Sequence, residues 1–286
     1  MRGHWRRLHL PRALVLALVL LTAGLAGCLG GEEDSTPPTN ESEADTPPPD
    51  TATVLPWGLA ECQGVIAAIP VEAEAMADRL PENFTYQTPE EFGLPPDMRG
   101  DAVLGIEAFR CENGTTITSE VSPMVYASLF APVHPADDVA TDDPLQFVKW
   151  EVLIPDADRR ELLVAAGVPA VNGSAELNTF TGLPAGGFAL EITATMDGGT
   201  YTFRGTAPQP MEEFQAPSSF TEYTPTPEGL VLWQTETIAP DMHQGTGTVS
   251  LPAGSWASEV VGQEQTQAFL LTSGQATFHN ATITLP

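Results

Sequence analysis

The sequence predicts a mostly β protein of α+β type: one antiparallel barrel, cone or sandwich domain with two short helices. The clearest strand is Phe188–Met196, in which every second residue from Leu190 onward is apolar and faces the same side. Asp197-Gly198-Gly199 then forms a turn, and Thr200–Arg204 returns as a second strand. About ten such strands in roughly 230 residues, without an internal repeat, indicate a single β domain.

The strand candidates share runs of apolar, β-branched or aromatic residues bounded by turn-forming residues. In chain order they are Val65–Val71, Ala102–Cys111, Thr116–Val133, Leu145–Ile154, Phe188–Met196, Thr200–Arg204, Leu230–Ile238, Thr246–Leu251, Ala268–Leu271 and Ala276–Leu285. Two helices interrupt them. The first spans Val71–Leu80 and ends before Pro81. The second begins with a capping-box-like pattern, Asp158-x-x-Glu161, and ends at Gly167.

The strand Leu145–Ile154 contains Lys149, the single lysine of the chain. Alternation places four apolar residues on one face: Val148, Trp150, Val152 and Ile154. Lys149 and Glu151 lie on the opposite face, so we expect Lys149 to be solvated. A closed barrel would instead direct that face into its interior.

The N-terminal segment predicts export and lipid attachment. Four arginines precede the apolar run Ala13–Leu25, and Leu25-Ala26-Gly27-Cys28 has the form of a lipobox, in which cleavage leaves a lipid-carrying cysteine at position 28. The alternatives are an ordinary signal peptide or an uncleaved anchor, although the apolar run is short for a membrane span. We therefore predict a signal peptide over residues 1–27 and a protein held by lipid on the extracellular face of the cell membrane.

Residues 28–55 are predicted to be a disordered acidic tether that follows the lipidated cysteine. Between Gly30 and Thr53 there are seven acidic residues and five prolines, without an aromatic residue, Val, Ile, Leu or Met. Such a segment buries too little apolar surface to offset the entropy of ordering it. The β-rich globular domain then spans residues 56–286.

The other two cysteines predict a disulfide. In an oxidising compartment Cys62 and Cys111 are most simply bonded to each other. Two buried free thiols or a metal pair are the alternatives, but no CxxC spacing is present. Five of the six asparagines begin an N-x-[ST] triplet, against about one by chance. The predicted N-glycosylation sites are Asn40, Asn83, Asn113, Asn172 and Asn280.

The formal net charge of −27 excludes some partners. So negative a chain disfavours nucleic acid and anionic lipid surfaces as partners. The sequence leaves any protein partner unknown. A dense carboxylate shell is typical of halophilic proteins, although an ordinary acidic secreted domain or a compositional bias against lysine would look similar. Together with the lipobox and the glycosylation triplets, this composition resembles an archaeal-type surface lipoprotein.

One acidic loop is a weak candidate for calcium. It contains Asp137, Asp138, Asp142 and Asp143, but their spacing lacks the ligand order of an EF-hand, and we expect a solvated loop. The sequence contains neither an HExxH motif nor a GxSxG elbow. We expect no cofactor.

Several segments, in this order, resemble the acetoacetate decarboxylase-like superfamily. They are the helix Val71–Leu80 with Pro81-Glu82-Asn83-Phe84, the strands Ala102–Phe109 and Met124–Leu129, and the strand–helix unit Phe147–Gly167 with Val168-Pro169. The resemblance covers roughly residues 62–286 and depends on diffuse patterns. It implies a β-cone around a pocket and, in the enzymes, a lysine that forms a Schiff base with the substrate.

The chain departs from that family at the lysine. Family enzymes carry a pair of lysines, whereas Lys149 stands alone. We therefore predict a non-catalytic domain that binds a small organic ligand. The alternatives are a decarboxylase-like lyase that uses Lys149, and a structural or interaction protein of the cell envelope.

Overall fold

The computed structural model describes residues 53–115, 120–121, 123–211 and 218–285. They form a closed seven-stranded barrel with extra strands outside it, and the content of 61% strand and 10% helix confirms the mostly β prediction. The strands are β1 (Thr53–Val71), β2 (Thr85–Tyr86), β3 (Ala102–Thr115), β4 (Glu120–Val121), β5 (Met124–His134), β6 (Leu145–Leu153), β7 (Ala170–Val171), β8 (Ser174–Gly182), β9 (Phe188–Met196), β10 (Gly199–Pro210), β11 (Ser218–Thr226), β12 (Gly229–Ile238), β13 (His243–Ser250) and β14 (Gln265–Leu285).

Three helical segments accompany the strands. They are a 3-10 helix over Ala73–Arg79, α1 over Ala157–Ala165 and α2 over Trp256–Val261. The described residues belong to a unit that spans 50–286. Within the described ranges, no helix is long and apolar enough to cross a membrane.

The barrel follows the strand order β1-β3-β5-β6-β11-β12-β14, and it closes because β14 also pairs with β1. All of these pairs are antiparallel except β6 with β11, which run parallel. The first part of β14 continues the sheet outward through β13, β10, β9 and β8. One 21-residue strand therefore belongs to both the barrel and the outer sheet.

Most barrel strands are buried on both faces. In β1, Val65 and Ala67 belong to an outer hydrophobic cluster that also contains Ile192 of β9 and Phe203 of β10. The opposite face contributes to a second cluster inside the barrel, around Trp233. Burial on both sides explains the apolar run Val65–Val71 at the C-terminal end of β1, whereas Glu61 and Gln63, nearer its middle, are exposed.

A β-bulge at Trp150 changes the direction of the side chains along β6. The pairing with β5 passes from Leu129–Glu151 directly to Phe130–Lys149. Before the bulge, Val148 and Trp150 pack in the outer cluster; after it, Val152 and Ile154 pack inside the barrel. The prediction that these four residues share one face is therefore wrong, because the inserted residue reverses the alternation.

The structure confirms the predicted disulfide. Cys62 of β1 and Cys111 of β3 are directly paired across the two strands, bonded to each other and fully buried. The bond links two neighbouring strands of the barrel wall.

Other predictions need correction. The two C-terminal strands are one continuous strand, β14, which passes through the segment between them. Of the predicted strand Thr116–Val133, the structure describes β4 and β5 as separate strands, and residues 116–119 and 122 lie outside the described ranges. The cap of α1 is Asp156, whose carboxylate accepts the backbone N–H of Arg159, and not Asp158.

Five elements were not predicted from the sequence: the two-residue strands β2 and β7, the strands β8 and β11, and the helix α2. The strand β8 carries mostly exposed residues on an outer edge, so its apolar signal is weak. The six-residue helix α2 is capped by the Ser255 hydroxyl and ends at Gly262, which adopts a left-handed conformation with φ of 74°.

Candidate functional site

A cavity of about 320 Å³ lies within the barrel. Its lining is mostly aromatic and aliphatic and comes from the inner faces of the barrel strands together with adjoining loops. The lining residues are Ile66, Phe92, Gly93, Leu94, Glu107, Phe109, Phe130, Leu145, Phe147, Met211, Phe220, Glu222, Thr237, Met242, Gln244, Phe269, Leu271, Ala276 and Phe278. Several of these residues, including Phe92 and Leu145, are only half-buried and Gly93 is exposed, so the cavity is open to solvent.

Phenylalanine rings dominate the cavity wall. Phe147 packs edge-to-face against three of them, with centroid separations of 5.2 Å to Phe130, 6.1 Å to Phe220 and 6.3 Å to Phe92. Phe278 makes similar contacts with Phe109 and Phe220. Edge-to-face packing of this kind gives a wall of fixed shape.

Five side chains inside the barrel form a polar cluster: Glu107, Tyr126, Ser128, Lys149 and Glu222. All of them are buried, and Lys149 and Ser128 have no exposed surface. The strand register explains why these side chains lie close together. Glu107 lies directly opposite Ser128 in the β3–β5 pair, and Glu222 lies beside Phe147 in the parallel β6–β11 pair. Lys149 follows two residues after Phe147, on the same face of β6.

The Lys149 amine has a partner in each of three directions. Its Nζ forms an ion pair with Glu222 and donates a hydrogen bond to the Tyr126 hydroxyl. It also lies 4.5 Å from the centroid of the Trp233 ring, a cation–π contact. The indole N–H of Trp233 donates to the Thr224 hydroxyl at 3.0 Å, which fixes the ring. These contacts suit the three N–H groups of an ammonium ion.

The position of Lys149 overturns the expectation that it is solvated. The closed barrel makes the polar face of β6 an interior face, and the bulge separates Lys149 from Glu151, which faces the outer layer near Asp197 and Gly198. Lys149 is also not among the described residues that line the cavity. A Schiff base requires a neutral amine in contact with the substrate, and a carboxylate partner stabilises the opposite state.

Glu107 is a buried carboxyl group that faces the cavity. It accepts a hydrogen bond from the Ser128 hydroxyl and is within hydrogen-bonding reach of Tyr126. Burial, followed by repulsion from Glu222, raises the pKa of Glu107 to about 7, although the Lys149 charge acts in the opposite direction. Glu107 is therefore poised between its protonated and ionised forms near neutral pH.

Two other members of the polar cluster, Glu222 and Tyr126, also have raised pKa values. Burial raises the pKa of Glu222, and the Lys149 ammonium opposes that effect. Burial also raises the pKa of Tyr126 well above its usual range, with repulsion from Glu107 and Glu222 adding to it. Tyr126 thus remains a neutral phenol that can accept from Lys149 and donate to a carboxylate.

A second buried cation, Arg159, lies on α1. It donates to the backbone carbonyl of Pro56, and its Nε and Nη1 atoms have no hydrogen-bond partner among the described residues. Burial lowers the pKa of Arg159, with Asp156 opposing the shift. Arg159 is not among the described residues lining the cavity, so we assign it no part in ligand contact.

The acidic loop does not assemble a metal site. Asp137, Asp138 and Asp142 are exposed. Asp143 accepts a hydrogen bond from Thr221. No group of three His, Cys, Asp or Glu side chains that could hold a metal ion occurs within the described ranges.

The remaining predicted modification sites are dispersed. Asn83, Asn113 and Asn172 are exposed. Asn280 lies in β14, but its side chain is not described, and Cys28 and Asn40 lie outside the described residues. Glycosylation and lipidation stay predictions.

Sequence reasoning missed both acidic members of the polar cluster, Glu107 and Glu222. The local sequence around Glu107 contains a pattern that could have identified it. Glu107 is the single charged residue in the run Ala102–Phe109, in which both faces are otherwise apolar or glycine. A charged residue that interrupts such a run points to a buried, partnered side chain. Glu222 left no such signal, because it stands among threonines and a tyrosine.

Comparison with known proteins finds similarity only among solved structures. No protein-family model and no curated protein matches the chain. The enduracididine biosynthesis enzyme MppR complexed with pyruvate is 13% identical with a TM-score of 0.45, and the alignment covers 84% of this chain and 92% of that one. Acetoacetate decarboxylase from Legionella pneumophila is 14% identical with a TM-score of 0.44, over 87% and 96% of the two chains.

An acetoacetate decarboxylase-like enzyme from Sphingomonas wittichii RW1 aligns similarly, with 12% identity, a TM-score of 0.44 and coverage of 81% and 92%. These neighbours are acetoacetate decarboxylase-like proteins, the superfamily that the sequence resembles. Identities this low, with TM-scores below 0.5, transfer no residue role to this chain.

Replacing Lys149→Met tests the buried ion pair. The substitution leaves Glu222 buried without its cation, so we expect a loss of about 3–5 kcal/mol in the free energy of unfolding at pH 8. The loss should shrink as the pH is lowered, because burial raises the pKa of Glu222 and a protonated carboxyl group no longer needs a cation. Urea unfolding measures both. Arg204→Met is the matched control, because it breaks the exposed pair with Glu191 and should cost at most about 1 kcal/mol. Equal losses in the two variants would contradict the buried pair.

Replacing Glu107→Gln tests the raised pKa. Between pH 4.5 and 7 the native state holds a proton that the unfolded chain has released, so raising the pH destabilises the wild type. We expect the stability of the wild type relative to Glu107→Gln to fall by about 3 kcal/mol from pH 4 to pH 8. Urea unfolding across this range measures the difference. Glu191→Gln, an exposed control, should show no comparable slope, and a flat difference for Glu107→Gln would rule out the shifted titration.

Proposed function

We propose that this barrel binds a small, largely apolar organic molecule in its interior cavity and does so without covalent chemistry. The observation that carries the proposal is the cavity itself, with a volume of about 320 Å³, phenylalanine walls and two carboxyl groups. Ligand sites typically combine such apolar walls with a few polar groups that orient the ligand. A purely structural protein of the envelope has no need of a cavity of this kind.

The noncovalent part of the proposal depends on Lys149. It is the single lysine of the chain, and its amine is engaged by Glu222, Tyr126 and the Trp233 ring. A lyase using Lys149 would have to break the ion pair and bring the amine into the cavity, leaving Glu222 buried without a partner. That cost favours binding over Schiff-base catalysis.

We also propose that the domain is held on the extracellular face of the cell membrane by lipid on Cys28. The support is the lipobox and the acidic, proline-rich segment that follows it. One acyl chain gives only marginal anchoring, so two chains or a second signal are needed for stable attachment.

Binding of N-phenyl-1-naphthylamine, an uncharged fluorophore, tests the cavity. We expect the full chain to bind it with one-to-one stoichiometry, measured by fluorescence titration. Leu145→Trp places a larger side chain on the cavity lining and should weaken binding about tenfold or more, which corresponds to about 1.4 kcal/mol. Leu162→Trp on the exposed face of α1 is the matched control and should bind like the wild type. Absence of binding to the wild type, or equal binding by both variants, would refute the proposal.

Replacing Cys28→Ser tests the anchor. Without the thiol no lipid can be attached, so we expect the protein to move from the membrane fraction to the soluble or secreted fraction. Immunoblotting of the two fractions measures the shift, with Ser35→Ala as a control for a substitution elsewhere in the same segment. A Cys28→Ser protein that stays with the membrane would contradict lipid anchoring at this residue.

A further inference from the structure

The charges around the cavity are unbalanced. Two carboxyl groups line it, Glu107 and Glu222, and no Lys, Arg or His is among its described lining residues. The nearest cation, Lys149, is already paired with Glu222 and enclosed by Tyr126 and Trp233. A negatively charged ligand would therefore meet two carboxyl groups and no cation.

Of the two carboxyl groups that line the cavity, Glu107 is the one that can still accept a hydrogen bond or an ion pair from a ligand. The groups that face it are Ser128 and Tyr126 on β5, Glu222 on β11 and Lys149 on β6, and only the two hydroxyls bond to it. It takes part in no ion pair among the described residues. Since an ionised carboxylate offers about four acceptor positions, Glu107 retains room for another donor.

The aromatic walls of the cavity also favour a cation over an anion. Seven phenylalanines line the cavity: Phe92, Phe109, Phe130, Phe147, Phe220, Phe269 and Phe278. A cation near aromatic faces is stabilised by the ring quadrupoles, the more so when water is excluded. Outside the barrel, a net charge of −27 raises the local concentration of cations and lowers that of anions.

We propose that the cavity binds a hydrophobic organic cation, an amine or quaternary ammonium on an apolar body, with the Glu107 carboxylate as its counter-ion. This inference rests on the proposed binding function and specifies its ligand class. The ammonium group contacts Glu107, and the apolar body lies against the phenylalanine walls. The cation then balances the charge that Lys149 leaves uncompensated in the barrel interior.

The proposal predicts a pH-dependent affinity. A fixed-charge cation binds the ionised form of Glu107, so binding competes with protonation of that carboxyl group. With a pKa of about 7 for Glu107 in the free protein, the affinity should fall about tenfold between pH 8 and pH 6. A neutral ligand of the same shape should bind equally at both pH values.

The test compares three small molecules on the full chain by displacement of N-phenyl-1-naphthylamine. They are benzyltrimethylammonium, its uncharged carbon isostere neopentylbenzene, and the anion 4-phenylbutanoate. We expect the cation to bind about tenfold or more tightly than the isostere at pH 8, and the anion to bind most weakly. The preference should persist at 1 M KCl, where a Debye length of about 3 Å screens nonspecific attraction to the acidic surface.

Two variants test whether Glu107 is the source of the preference for the cation over the isostere. Glu107→Gln, which keeps the shape of the protonated side chain, should abolish the preference, so that the cation and the isostere bind this variant with similar affinity. Glu191→Gln removes an exposed carboxylate and should change neither affinity. Should Glu107→Gln fail to fold, the pH profiles of the two ligands on the wild type decide the question.

The outcomes separate the inference from the proposed function. Equal binding of cation and isostere, or a preference that survives in Glu107→Gln, overturns the assignment of ligand class and leaves a general apolar binding site. Failure of the fluorophore and of all three molecules to bind overturns the binding function, and the ligand class with it.

Discussion

The ion pair between Lys149 and Glu222 is the interaction on which the barrel interior depends. Enclosing two charges costs several kcal/mol per ion unless their mutual attraction and further hydrogen bonds offset that cost. Here the offset comes from β5, which supplies Tyr126, and from β12, which supplies Trp233. The pair is therefore tolerated only if four neighbouring strands of the barrel wall, β5, β6, β11 and β12, keep their registers.

The same interaction limits what the site can do. It consumes the single lysine of the chain, so the cavity is left with carboxyl groups and aromatic walls but without an amine nucleophile. Because Lys149 is paired with Glu222, Glu107 has no cationic partner among the described residues. It is buried near another carboxyl group and forms hydrogen bonds only with hydroxyl groups. These contacts are the reason why we propose that the interior holds a ligand without forming a covalent bond with it.

Local patterns predicted the strands whose two faces differ. The strand β9 matches its predicted bounds, because its apolar residues face the outer cluster and its other face is more open. The disulfide was also predictable from the two cysteines that remain beside Cys28, on the expectation that the chain is exported.

The site itself could not be predicted, for two physical reasons. Closure of the barrel turns a polar strand face into an interior face, and closure depends on β14 pairing with β1 across more than 200 residues of sequence. The bulge at Trp150 then reverses the alternation within β6, which separates Lys149 from Glu151. Both effects arise from long-range pairing, whereas periodicity reports only on local environment.

The presence of a single lysine allows a direct measurement of the central claim, that Lys149 is a buried ammonium paired with Glu222. A chain labelled with 15N only at the lysine side chain gives one nitrogen resonance. The account predicts the chemical shift of a charged ammonium at pH 7, with protons that exchange slowly because the group is buried and hydrogen-bonded. The shift of a neutral amine, or protons that exchange as fast as those of a solvated lysine, would contradict it.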